Sequence, residues 1–146
     1  MPVTNVELVK AALPEEVDLV EAMASDDPVA ALIGNADNVA PDLEVAFGGS
    51  QSGAPALHYE GLEGLVKGWR DWIEPYESYR LGVEEVIDAG AGVLTLVRVV
   101  ARTSRHGVEI EHRPAAVWTI EDGKLTAAHF FLERADAFEF AGLAPP

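Results

Sequence analysis

Apolar and polar residues follow a helical period in the first half of the chain and a strand period in the second. Val6, Leu8, Val9, Ala12 and Leu13 fit a short amphipathic helix behind Thr4 or Asn5 as N-cap, interrupted by Pro14. Val17, Leu19, Val20 and Met23 form the apolar set of a second helix that starts near Glu15. "SDDPVAALIG" predicts a third, with Ser25 or Asp26 as cap, Pro28 in its first turn and Gly34 as its stop. Three helical pieces thus precede the first strand, "DLEVAF" (Asp42 to Phe47). "GGSQSGAPA" is a loop by composition. The clearest helix follows, with Leu62, Leu65, Val66, Trp69, Trp72, Ile73 and Tyr76 on one face and Pro75 near its end.

Strands fill most of the remainder. "YRLGVEEVID", "VLTLVRVVART", "VEIEHRPAAVWTI" and "KLTAAHFFLE" are four in a row, and "RADAFEFAGL" closes the chain as a short helix stopped by Gly142. Asp122-Gly123 between alternating apolar runs specifies a two-residue hairpin, because a type I′ turn needs positive φ at both central positions. Helices first and successive strands later predict an α+β fold, with helices gathered on one face of a mainly antiparallel sheet.

The parity of the last hairpin sets two faces. A plain two-residue turn places His112, Pro114, Ala116, Trp118, Ile120, Leu125, Ala127, His129 and Phe131 on one, and Arg113, Ala115, Val117, Thr119, Thr126, Ala128, Phe130 and Leu132 on the other. Both are largely apolar, so one should pack on helices and line a pocket while the other meets a partner subunit. A single bulge would exchange the faces, and Pro114, which cannot donate to a ladder, invites irregularity.

Composition narrows the chemistry. The 146 residues suit one domain. Acids outnumber bases 25 to 10, a net charge of −15 that repels phosphate backbones and argues against nucleic acid. Residues 1–47 hold ten acids and one base, Lys10, which reads as a solvated acidic face. The chain has no cysteine, which removes disulfides and thiolate chemistry. No run approaches the ~20 apolar residues of a membrane span. The opening "MPVTNVELVK" has neither the basic start nor the apolar run of a secretory signal, so the cytoplasm is the expected location. The four histidines show no metal-binding spacing and no phosphate loop follows a strand; neither metal nor cofactor is expected.

The phrases "NVELVK", "YEGLEGLVKGWRDW", "VIDAGAGVLTLVRV", "VWTIEDGKL" and "RADAFEFAGL", in this order, resemble the SnoaL-like branch of the nuclear transport factor 2-like superfamily over nearly the whole chain. The resemblance implies a single domain over residues 1–146. It also implies a cone-shaped curved sheet wrapped around the N-terminal helices and one long Trp-containing helix, with a pocket in the cone's mouth and pairing as a homodimer through the outer sheet face. Ketosteroid isomerase-like members place their acids where this chain has Ala46 or Phe47 and Ala115 or Ala116. Epoxide hydrolase-like members place an Arg and an Asp on the long third strand and an Asp on the last, near Val97, Val99 and Phe130. The mechanisms of those members therefore lack their carboxylates here.

By comparison with the family's last strand, Ala128, Phe130 and Leu132 point inward, Arg113 points into the cone and His112 lies on the interface face. Arg113 there would bind a carboxylate, enolate or phenolate, or else pair with Glu111 or Glu109 at the sheet edge. His112 is a candidate general base or a hydrogen-bonded interface histidine, His129 a structural one, and His58 a second candidate near the pocket mouth or an exposed loop residue. Trp69, Trp72 and Tyr76, with Phe130 opposite, are core residues that border an apolar ligand. Arg98 and Arg102 should pair outside with acids such as Glu84 or Glu109. Two functions fit: a cofactor-independent isomerase, dehydratase or cyclase working by proton transfer on an apolar small molecule, or a non-catalytic binding or interaction module.

Overall fold

The computed structural model describes residues 4–33, 36–48, 56–90 and 92–144. The elements run α1 (Asn5–Ala12), β1 (Glu16–Asp18), α2 (Leu19–Ala24), α3 (Pro28–Leu32), a 3-10 turn (Ala36–Asn38), β2 (Val39–Gly48), β3 (Ala56–Glu60), α4 (Gly61–Ile73), β4 (Tyr76–Asp88), β5 (Gly92–Thr103), β6 (Glu109–His112), β7 (Ala115–Glu121), β8 (Lys124–Phe131) and α5 (Arg134–Phe140). The eight strands form one bent, open sheet in the order β1-β4-β5-β7-β8-β2-β3, with β6 beside β7 along β5. Every pairing is antiparallel except β2 with β8. The α+β architecture and the mainly antiparallel sheet expected from the pattern are present.

Local chemistry sets the helix starts. Thr4 and Glu7 form a reciprocal capping box on α1. The second helix begins later than its apolar spacing suggests. Pro14 ends the first helical run, and Glu16–Asp18 instead pairs with the exposed edge of β4, where extended residues satisfy open backbone groups. Asp18 then caps α2 by accepting from Val20 and Glu21 N–H groups. Asp27, one residue beyond the expected caps, accepts from Ala30 N–H, with Pro28 in the first turn of α3. The expected stop at Gly34, and the loop "GGSQSGAPA" except for its ends, lie outside the described residues.

Three further boundaries differ from the sequence reading. Residues 56–60, which run from the end of the expected loop to the start of the Trp helix and carry no strand in the sequence reading, form β3 along β2. Helix α4 ends at Ile73, before Pro75, so Tyr76 opens β4 and its ring packs on Tyr79 with centroids 5.2 Å apart. The strand read through "VEIEHRPAAVWTI" breaks at Arg113-Pro114 into β6 and β7, although Val97 N–H still bonds to the Pro114 carbonyl.

The final hairpin turns where expected, with positive φ at Asp122 and Gly123 and Glu121 opposite Lys124. Its register then shifts: Ile120 faces Leu125 but Thr119 faces Ala127, leaving Thr126 unpaired in β8 as a bulge. Beyond it Trp118 faces Ala128 and Ala116 faces Phe130, so these four share the inner face with Ile120 and Leu125. Strand β8 keeps its expected inward residues, while the faces of β7 and β6 are reversed.

Two apolar clusters result. The larger fills the space between the inner face and α1, α2, α3 and α4. The smaller lies on the outer face, where Ala137 and Phe138 of α5 cover Leu94, Leu96, Ala115, Val117 and Phe131. The chain's own last helix therefore occupies part of the surface that the sequence assigned to a partner. The rest of the outer face near β4, β5 and β6 is charged. Arg98 pairs with Glu111 at 3.0 Å and Arg102 with Glu77 at 3.8 Å, rather than with Glu84 or Glu109; Glu84 is held by Arg134 at 2.7 Å.

The approach of β5 to β7 at Gly92 gives a direct test. A methyl group at Gly92 would run into the main-chain carbonyl of Trp118, which has no side-chain freedom to yield. Gly92→Ala should lower the unfolding free energy by about 1–3 kcal/mol in urea titrations. An unchanged midpoint would contradict this β5–β7 approach.

Candidate functional site

Between α4, the N-terminal segment and the inner sheet face lies a cavity of about 80 Å³. Its walls are overwhelmingly apolar and rich in rings. Phe47 from β2, Trp69 and Trp72 from α4, Trp118 from β7 and Phe130 from β8 all border it. The rings fix one another: Phe47 stacks on Phe130 with centroids 4.7 Å apart and meets Trp69 edge-on at 5.0 Å. That is about half the roughly 150 Å³ of a cavity known to hold benzene, so the enclosed space takes a branched chain end or part of a ring.

Polar groups reach this wall in two places. Trp118 Nε1 donates to the buried Thr95 hydroxyl at 3.0 Å, and that hydroxyl lies 3.4 Å from the Ala116 carbonyl, which accepts from it. This pair is closed on itself and fixes the Trp118 ring. The other is a relay: Trp72 Nε1 donates to Tyr79 Oη at 3.0 Å, and Tyr79 Oη lies 3.4 Å from His112 Nε2. The Tyr79 oxygen already accepts from Trp72, and a buried O–H needs an acceptor. We therefore assign the Tyr79 proton to the bond with Nε2, which leaves neutral His112 protonated at Nδ1.

Burial sets the charge state of both groups. It pushes the Tyr79 phenol far above its usual value, so the hydroxyl keeps its proton across the physiological range. It lowers the pKa of half-buried His112, holding the imidazole neutral. The wall thus carries an uncharged donor bonded to an uncharged acceptor in an apolar cavity.

The sequence candidates divide around this relay. His112 faces the cavity rather than an interface, because the Thr126 bulge reverses the face of its strand. Arg113 points the other way. Its side chain is 57% exposed and lies 3.9 Å from Glu111, the sheet-edge ion pair weighed as its alternative. His58 is exposed on β3, and Trp69, Trp72 and Phe130 line the cavity, whereas Tyr76 stands behind Tyr79 and does not. His129 lies outside, 3.0 Å from the Gly48 carbonyl and stacked on Phe131 at 4.0 Å. Among the described residues, no group of three or more His, Asp or Glu side chains is placed to hold a metal.

The sequence reading missed Tyr79 and Thr95 as cavity residues. Tyr79 had a legible signal: in "YRLGV" it alternates with Leu81 and Val83, and all three line the cavity.

The buried histidines make stability depend on pH. Burial lowers the pKa of His129 as well, opposed by the Gly48 carbonyl. A histidine whose pKa is lower in the fold resists protonation there, so the unfolded chain takes up the proton first. The contribution is complete above about pH 6.5 and is lost as pH falls below it. Urea titrations about one unit above and below that pH should show a smaller loss for a His112→Gln/His129→Gln double variant than for the wild type. An equal loss would sink this assignment.

The SnoaL-like domain family matches residues 16–128 of this chain. Solved structures of similar fold include a protein of Jannaschia sp. CCS1 described as a SnoaL-like polyketide cyclase, with 19% identity and a TM-score of 0.66 over 100% of this chain and 97% of that one. An NTF2-like protein of Burkholderia thailandensis E264 has 22% identity and a TM-score of 0.64 over 95% and 97% of the two chains. TerC, co-crystallised with polyporic acid, has 19% identity and a TM-score of 0.60 over 94% and 98%. No protein of curated function matches the sequence. At these identities the structural likeness speaks for the fold alone, and the sequence match supplies the rest: the chain belongs to the SnoaL-like domain family.

Proposed function

We propose that this protein is a cofactor-independent, single-domain binder of a small, mainly apolar molecule and acts on it by proton transfer, as an isomerase, dehydratase or cyclase does. One observation carries the reading: Tyr79 Oη and His112 Nε2 stand 3.4 Å apart at the wall of an apolar cavity. A ligand carbonyl placed against Tyr79 accepts the phenol's hydrogen bond, which polarises it. Neutral His112 takes a proton from the adjacent carbon; the C–H electron pair moves into the enol system, and His112 returns the proton at carbon or oxygen. Trp72 holds the phenol by donating to its oxygen, and on ligand binding the Tyr79 proton turns from His112 Nε2 to the ligand carbonyl, which frees Nε2 to act as the base. Arg113 and His58 take no part at the cavity in this reading.

Small-molecule binding by TerC, which shares the fold, supports the ligand half of the proposal. The competing reading, a non-catalytic carrier, draws on the lining itself, which among the described residues contains no carboxylate. Deuterium incorporation into cyclohex-2-enone in heavy water, followed by NMR, separates the two. The wild type should accelerate exchange, and His112→Gln should lose that acceleration by about 100-fold or more while still binding the ketone. Saturable binding with no exchange by the wild type would favour the carrier.

We further propose a second copy as the partner of the outer face. Phe140 is 49% exposed beside His129, with ring centroids 4.9 Å apart, above the concave surface of Ala46, His58 and Ala127. An exposed aromatic at the rim of a sheet face is an anchor for a two-fold interface. Light scattering should report a dimer that Phe140→Glu shifts toward monomer; a monomeric wild type would rule the interface out.

A further inference from the structure

We infer that the cavity takes the uncharged enone, enol or phenol group of its ligand and rejects the ionised form of the same molecule. The inference rests on the proposed ligand site beside Tyr79 and His112 and names what that site selects. Its basis is the inventory of groups that touch the void.

Among the described residues that line it there is no Lys, Arg, Asp or Glu. The guanidinium groups of the outer face are engaged elsewhere: Arg98 with Glu111, Arg102 with Glu77 and Arg113 near Glu111. Arg134 is tied to Glu84 and to the Val97 carbonyl. Among the described residues, no Lys or Arg therefore lines the cavity.

Hydrogen-bond donors are equally scarce. The Trp72 and Trp118 N–H groups are committed to Tyr79 and Thr95, and the Thr95 hydroxyl to the Ala116 carbonyl. The Tyr79 hydroxyl donates to a ligand oxygen only by turning from His112 Nε2, and Trp69, whose indole also lines the cavity, carries no charge. An anion taken out of water needs a countercharge, and these uncharged groups supply none. The net charge of −15 adds a long-range penalty against any anion.

The same inventory accommodates an uncharged acid. When a neutral ligand gives its proton to His112, the imidazolium formed is the countercharge for the oxygen, and ligand and dyad together stay uncharged throughout. A ligand that arrives ionised brings no such proton. The void of about 80 Å³ limits the enclosed part to less than a whole ring, the edge that carries the ligand oxygen.

The probe is 4-nitrophenol, followed by quenching of tryptophan fluorescence, with 4-nitrobenzyl alcohol as an isostere that does not ionise in the range used. Above the probe's own ionisation its Kd should weaken by about tenfold per pH unit, while that of the alcohol stays constant. Leu132 lines the cavity and is 49% exposed, so a lysine there sets a cation at the mouth with little cost to folding. Leu132→Lys should flatten the pH slope by strengthening phenolate binding, and Tyr79→Phe should weaken both probes. A wild-type Kd for nitrophenol that stays flat or tightens above its ionisation, with both variants still altering binding, overturns the selectivity and leaves the site reading intact. Binding that neither variant changes, or no saturable binding of either probe, overturns the site reading and this inference with it.

Discussion

One unpaired residue in the last hairpin decides which side of this protein is inside. Thr126 interrupts the β7–β8 ladder, and its hydroxyl lies within 3.4 Å of the Thr119 carbonyl, which accepts from it. Side chains alternate with a period of two, so one extra residue exchanges the faces of everything beyond it on one strand relative to the other. The shift joins Trp118 and Ala116 to Ala128 and Phe130 on the helix side, and sends Val117, His129 and Phe131 outward. Strand β2 is irregular at the same level, between Val39 and Glu44, so the sheet bends there on both sides of β8. The cavity lies against the concave side of that bend.

The inward face thus gains a histidine and the outward face an arginine, the reverse of the plain-hairpin expectation. That exchange governs the chemistry. An arginine in the cone would have made a site for anions; His112 beside Tyr79 makes one for a molecule with a proton to lose. Burial acts on both groups in the same sense, against charge, lowering the histidine and raising the tyrosine. A neutral donor next to a neutral acceptor is the outcome.

Outside, the sheet divides its work. One half is a ladder of exposed ion pairs, Glu16–Arg80, Arg102–Glu77 and Arg98–Glu111, whose individual contributions are small but which keep the edge polar. The other half is apolar and lies under α5, which Arg134 pins to Glu84 and to the Val97 carbonyl. The chain thereby buries with its own C-terminus much of what a two-faced apolar hairpin would otherwise present to water.

Much of this fold was legible beforehand because its signals are local. An N-cap at Thr4 or Asn5, Pro28 in a first turn, the Trp69 and Trp72 stripe and the Asp122-Gly123 turn each act within a few residues, so sequence order alone carries them. The short strands β1 and β3 were hidden because their partners, β4 and β2, supply the hydrogen bonds that make them strands. Of the site, the sequence determined an apolar, aromatic-rich core without family carboxylates at the expected places. Only the tertiary structure decided that His112 faces the cavity, that Arg113 does not, and that Tyr79 stands between Trp72 and His112. Those three facts depend on how strands distant in the chain pair across the sheet, and a register shift of one residue, invisible to local propensity, is enough to reverse them.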